Sequence, residues 1–194
     1  MPGGAGDILK TLEVLDWPGT LVVPTTGLLV ISVLTTPGDD RTQARKQVRQ
    51  ALREVLGMLL PQPLELIDVV GQALRVKDSS INLSISHAPG LSVAAINLYG
   101  AVGVDLMQFE EDADFLPDWQ QVAHDYLGPD AASRITDAYG FAQEWTRREA
   151  QLKCCGLGIT EWEATQELRY GKTMLLTLPH GYVGSVVQNN LPNH

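Results

Sequence analysis

Apolar positions along this chain change their period several times, and each change marks an element. Leu21-Val22-Val23 and Leu28-Leu29-Val30-Ile31-Ser32-Val33-Leu34 are short β-branched runs punctuated by Pro24 and Gly27, the pattern of extended strands. From Asp40 the residues Ala44, Val48, Ala51, Leu52, Val55, Leu56 and Leu59 recur at spacings of three and four. That period predicts an amphipathic helix of about four to five turns, with Asp40 as its cap and Pro61 as its stop. Further strands are predicted near Leu64 to Val70, Ile81 to Ile85, Leu91 to Leu98 and Val102 to Leu106. Turns separate them at Asp78-Ser79-Ser80, Ala88-Pro89-Gly90 and Tyr99-Gly100.

The second half repeats the mixture. A helix is predicted near Asp118 to Tyr126, stopped by Gly128-Pro129, and a longer one over Asp130 to Cys155 with Ala138, Phe141, Trp145 and Leu152 on its apolar stripe. Strands near Glu163 to Arg169, Thr173 to Leu178 and Tyr182 to Val187 follow. Strands interleaved with two helical regions point to an α+β or α/β protein whose two halves resemble each other.

Composition narrows the possible partners. At 194 residues, 44% hydrophobic and 19% charged, the chain is globular in character and long enough for one good core. With 23 acidic against 14 basic residues the net charge is -9, which argues against bulk attraction to nucleic acid or an anionic membrane. Five of the 14 basic residues, Arg41, Arg45, Lys46, Arg49 and Arg53, nevertheless share the polar face of the first helix, as a solvated face or an anion-binding one. Cys154 and Cys155 are adjacent, so they offer neither a disulfide framework nor the spaced ligands of structural zinc. A reducing, cytoplasmic setting fits. Met1 to Asp7 lacks the basic start and apolar run of a signal peptide, and the longest apolar stretch, Thr20 to Val33, is broken by Pro24 and Gly27. Neither export nor a membrane span is expected.

Three segments could carry chemistry. Asp105 closes the apolar run Ala101-Val102-Gly103-Val104-Asp105, so its carboxylate sits at the end of a largely buried strand, where a charge needs a cation or a set of backbone amides. Trp145, Glu149 and Lys153 are spaced four apart, which stacks an aromatic ring, a carboxylate and an ammonium on one helix face. By spacing alone Glu149 and Lys153 are an ordinary surface pair worth roughly a few tenths of a kcal/mol, but Trp145 needs burial and tilts that face inward. In Ser84-Ile85-Ser86-His87-Ala88-Pro89-Gly90, Ser86 and His87 are expected at a loop mouth, one hairpin before Asp105. A hydrolase centre built from Ser86 or Ser92 with His87 or His124 has no Gly-x-Ser-x-Gly elbow, and adjacent Ser86 and His87 would point apart in a strand. No phosphate-binding Gly-x4-Gly-Lys-Ser/Thr loop occurs.

Taken in order, Ile85-Ser86-His87, then Val102-Gly103-Val104-Asp105, then a helix reading Trp-Thr-x-Arg-Glu-Ala-x-x-Lys-x-x-Gly-x-Gly from Trp145 to Gly158, the chain resembles the 4'-phosphopantetheinyl transferases. It is similar to their larger class, in which one chain forms two similar halves. That resemblance implies an α+β fold with an N-terminal half over residues 1–100 and a C-terminal half over 101–194. Each half would be a small sheet packed on a long helix, with the active site in the cleft between them. It also implies a monomer that uses Mg2+ to move the phosphopantetheine arm of coenzyme A onto a serine of an acyl or peptidyl carrier protein, releasing adenosine 3',5'-bisphosphate.

Carried over residue by residue, Asp105 and Glu149 would hold the metal, Lys153 would bind phosphate and assist the leaving group, and Ser86 with His87 would lie on the 3'-phosphate side of coenzyme A. Arg45 or Arg41 matches a family arginine near the start of the first helix. The proton of the attacking serine could pass to Glu149 or to a water on the metal. Two departures stand out: Met107 replaces a third acidic residue found in many members, and Gln72 replaces a lysine, a loss that the basic face around Arg45 would offset. A relative that binds coenzyme A or a carrier without transferring anything is the alternative. Because carrier proteins are as a class acidic, docking is expected to be short-range and apolar, with local help from Arg147 and Arg148.

Overall fold

A computed structural model describes residues 10–22, 24–36, 41–60, 64–69, 74–110, 119–164 and 171–190. The first described residues form two short strands, Lys10–Glu13 (β1) and Leu15–Trp17 (β2). Leu12 and Val14 pack into one core, Leu15 and Trp17 into another. This split follows from pairing. β1 runs parallel to Lys172–Thr177 (β9), whereas β2 runs parallel to Leu28–Leu34 (β3), so the chain passes from one sheet to the other at Val14.

The six-stranded sheet has the order β2-β3-β7-β6-β5-β4, with Leu66–Ile67 as β4, Arg75–Val76 as β5, Asn82–Ala88 as β6 and Leu91–Asn97 as β7. The four-stranded sheet has the order β1-β9-β10-β8, with Gly100–Gln108 as β8 and Tyr182–Asn190 as β10. Four helices complete the described residues: Arg41–Leu59 (α1), Trp119–Leu127 (α2), Pro129–Ala132 (α3) and Ala138–Cys154 (α4). The class is therefore α+β with two mixed sheets.

Near-continuous apolar runs in β3 and β7 have a direct cause, because both strands are covered on both faces. Leu29, Ile31, Ala94 and Ile96 pack under Val48, Leu52, Val55 and Leu56 of α1. The alternate residues Leu28, Val30, Leu91, Val93 and Ala95 meet Val102, Val104, Leu106, Met174, Leu176 and Val186 of the other sheet. The layers run α1, six-stranded sheet, four-stranded sheet, α4.

Where the two sheets meet at β6 and β8, no backbone ladder joins them. Ser84 and Ser86, two apart and therefore on one face of β6, take over: Val104 N–H donates to Ser84 Oγ at 3.0 Å and Leu106 N–H to Ser86 Oγ at 3.2 Å. On the far side of β8, α4 lies so close that a Cβ at Gly103 would fall on the Ala150 carbonyl oxygen and within 2.5 Å of Cys154 N. A buried hydroxyl pair, Thr146 Oγ1 and Ser185 Oγ at 3.1 Å, ties α4 to β10.

Several expectations are corrected. Leu21 and Val22 pair with no strand, since Pro18 and Pro24 bracket them, and Val22 is 70% exposed. The helix expected over Asp130 to Cys155 is broken into α3 and α4: Ile135 turns into the core, and Asp137 caps α4 by accepting from Gly140 N–H at 2.7 Å. His87 stands inside β6 rather than at its mouth, opposite Ser92, because only Pro89-Gly90 form the turn, with Gly90 at φ 77°. The strand near Leu64 to Val70 shrinks to β4. Glu163 and Ala164 form no strand, and residues 165–170, with Asp40, Pro61 and Val70, lie outside the described residues. β1 and β2 were not expected. Among the described residues no helix is long and apolar enough to cross a membrane.

Since the atoms opposing Gly103 are helix backbone, Gly103→Ala is expected to destabilise the fold by about 2 kcal/mol, read as a lowered denaturation midpoint; an unchanged midpoint would refute the tight α4–β8 contact.

Candidate active site

With no side chain at Gly103, α4 settles onto β8 and brings its Glu149 and Lys153 beside Asp105. Trp145, one turn earlier, anchors the helix from the other end. Its ring stacks on Phe141 at 5.6 Å between centroids and meets Tyr126 of α2 at 5.8 Å.

Asp105 is 6% exposed, so its charge depends on what surrounds it. Lys153 Nζ donates to Asp105 Oδ1 at 2.6 Å and to the Val104 carbonyl at 3.2 Å, and lies 3.7 Å from Glu149 Oε2. Ser86 Oγ donates to the same Asp105 Oδ1 at 2.7 Å. Lys153 keeps 30% of its side chain exposed, so water screens part of this attraction. Among the described residues no hydrogen bond reaches Asp105 Oδ2. Glu149 is half-buried, and its proton affinity is raised above the ordinary carboxylate value. Burial is the main cause, Asp105 adds to it by repulsion, and the attraction of Lys153 does not cancel the two.

Arg45, Ser86, His87, Asp105, Glu149 and Lys153 line one cleft of about 1120 Å³, together with Arg49, Met107, Trp145 and Gly156 to Gly158. Arg45 is exposed and makes no ion pair among the described residues, whereas Arg49 Nη2 pairs with Asp68 at 2.9 Å. The cleft thus joins a cationic wall from α1 to a carboxylate pair from β8 and α4. Such a surface can seat a polyanion along its length and a cation at one end.

Ser86 and His87 have separate jobs. The Ser86 hydroxyl is spent on Asp105 and on Leu106 N–H, so it orients the carboxylate. His87 Nδ1 lies 2.7 Å from Ser92 Oγ, directly across the β6–β7 pair. Ser92 is fully buried, the Ser86 hydroxyl is committed, and His124 faces solvent beside Asp125, so neither serine is set up as a hydrolytic nucleophile. Arg147 is engaged by Glu144, three residues earlier on α4, and Arg148 is half-buried. The Arg41 side chain and Gln72 lie outside the described residues.

Sequence reasoning missed the inter-sheet role of Ser84 and the Thr146–Ser185 pair. Alternating serines in an otherwise apolar strand were the available signal for the first, because a buried hydroxyl needs a partner.

As a metal site, two carboxylates on separate elements offer hard oxygen donors that fit Mg2+, a cation that keeps waters and substrate phosphates as its remaining ligands. Met107 lines the same cleft and offers only a thioether. Among the described residues no group of three or more His, Cys, Asp or Glu side chains gathers to hold a metal without such help.

No protein-family model matches the chain, and no curated protein matches it.

For a carboxyl group whose proton affinity is raised by folding, the contribution to stability is greatest below the ordinary glutamate value and is lost as pH rises through the raised one. Glu149→Gln removes that loss. The variant is expected to melt at or above the parent at neutral pH, with the gap closing in acid; a clear drop in Tm at neutral pH would show that Glu149 pays its way through Lys153 instead.

Proposed function

We propose that the protein is a 4'-phosphopantetheinyl transferase, acting as a cytoplasmic monomer on an acyl or peptidyl carrier protein. What carries this proposal is the one cleft shared by Arg45, Ser86, His87, Asp105, Glu149 and Lys153, which come from α1, β6, β8 and α4 and were singled out by motif. Topology supports the two-halves arrangement of residues 1–100 and 101–194. From β3 through α1 and the short β4 and β5 to the β6–β7 hairpin the order is β3-β7-β6, and from β8 through α2, α3 and α4 to the β9–β10 hairpin it is likewise β8-β10-β9.

In the proposed reaction the carrier serine Oγ attacks the phosphorus that bears the pantetheine arm. A new P–O bond forms, the bond from that phosphorus to the bridging oxygen breaks, and adenosine 3',5'-bisphosphate leaves with the electron pair. Mg2+ bound to Asp105 and Glu149 would supply neutralisation of the pyrophosphate charge. Ser86 keeps Asp105 oriented. Lys153 contributes an ammonium to the leaving phosphate, and Arg45 and His87 face the 3'-phosphate side of the nucleotide. Glu149, a carboxylate lining the same cleft, accepts the serine proton. Alignment of attacking and leaving oxygens in one cleft provides the rest of the rate, as in other phosphoryl transfers.

A binding module for coenzyme A or a carrier is the second reading, favoured by Met107 in the place of a third acid. Intact mass spectrometry separates the two. An apo carrier incubated with the chain, coenzyme A and Mg2+ is expected to gain one phosphopantetheine, and to gain none with EDTA. Asp105→Asn and Glu149→Gln should abolish the gain while the fold survives, and Lys153→Ala should slow it roughly a hundredfold. No gain on several carrier types, with coenzyme A still bound, would establish the binding module.

A further inference from the structure

We propose that Lys153 is an internal counter-ion for the carboxylate pair: it holds the position between Asp105 and Glu149 and yields it only when phosphate can take its charge, so that metal and coenzyme A bind as a coupled pair. This rests on the transferase function proposed above and specifies how its site is regulated.

Lys153 donates hydrogen bonds to Asp105 Oδ1 at 2.6 Å and to the Val104 carbonyl at 3.2 Å, and its charge lies 3.7 Å from Glu149 Oε2. A phosphate that draws the ammonium away competes with both carboxylates for the same positive charge. Conversely, a divalent cation that needs both carboxylates meets a positive charge already seated between them, and repulsion at such distances is strong in a half-buried cleft. Each ligand alone therefore works against Lys153, whereas the two together relieve it: the carboxylates acquire another cation as the ammonium acquires another anion.

Local structure lets Lys153 make that exchange. It stands in the last turn of α4, where the helix dipole favours a cation. Immediately beyond it the helix stops: Gly156 takes φ 72°, and Leu157 N–H returns to the Leu152 carbonyl at 2.8 Å. Gly156 to Gly158 then line the cleft as backbone with only one side chain, Leu157. The four-carbon stem of Lys153 thus borders open space on the side where phosphate is proposed to lie.

Because coupling is reciprocal, coenzyme A should tighten metal binding by the same factor as metal tightens coenzyme A. Mn2+ serves as the probe, with free ion followed by electron paramagnetic resonance on the full chain, with and without coenzyme A, and with Asp105→Asn as the reference for Mn2+ held by coenzyme A itself. The parent should bind Mn2+ weakly alone and roughly tenfold more tightly with coenzyme A present. Lys153→Met should bind Mn2+ alone roughly tenfold more tightly than the parent and gain little from coenzyme A. Lys153→Gln, which keeps a hydrogen bond to Asp105 without the charge, should behave alike if the Met variant does not fold. Lys153→Arg should keep the coupling.

Equal Mn2+ affinity in the parent and the neutral variants, with Asp105→Asn abolishing both, would overturn the counter-ion role and leave the metal site standing. Mn2+ binding unaffected by Asp105→Asn in every state would remove the metal site, and the transferase proposal with it.

Discussion

Everything at the candidate site depends on how closely one helix can approach one strand. Gly103 has no side chain, so the backbone of α4 at Ala150 and Cys154 rests directly on β8. Two residues along the strand, on the same face, is Asp105; one residue before each of those backbone contacts, in turn, come Glu149 and Lys153. A larger residue at position 103 would lift the helix and separate charges that are now 2.6 to 3.7 Å apart. The contact is steric, yet its main consequence is electrostatic.

That closeness has an energetic cost that the fold meets locally. Asp105 is buried and Glu149 half-buried, and together they raise the proton affinity of Glu149. Lys153 and Ser86 satisfy Asp105 without neutralising the whole pair. The site is held short of electrostatic balance, which suits a surface whose proposed ligands are themselves highly charged. Ser84 and Ser86 accept the β8 amides, and Thr146 and Ser185 satisfy each other.

How much of this was legible in the sequence varies with the kind of signal. The period-three-and-four run of α1 and the strands through Leu28, Leu91 and Val102 were readable because burial imposes a period. The line Trp145-Glu149-Lys153 was readable for the same reason, and all three residues line the cleft. Capping was harder: Asp137 interrupts what periodicity alone extends back to Asp130. β1 and β2 were missed although Leu12 and Val14, then Leu15 and Trp17, do alternate, because the phase changes between them as the chain changes sheets. The role of Ser86 was out of reach, since it depends on an inter-sheet contact spanning 19 residues of chain.

The crossing at Val14 also bears on how the molecule is made. Lys10 pairs with Met174 and Glu13 with Thr177, so β1 waits for a strand 164 residues later in the chain. The four-stranded sheet, which contributes Asp105, therefore closes only once β9 and β10 are present. Such distant pairing slows folding and leaves the edge of β1 without its partner until β9 joins it. The N-terminal layer of α1 and its sheet, drawn mostly from residues 28–97, has no such dependence and can assemble first around its own core.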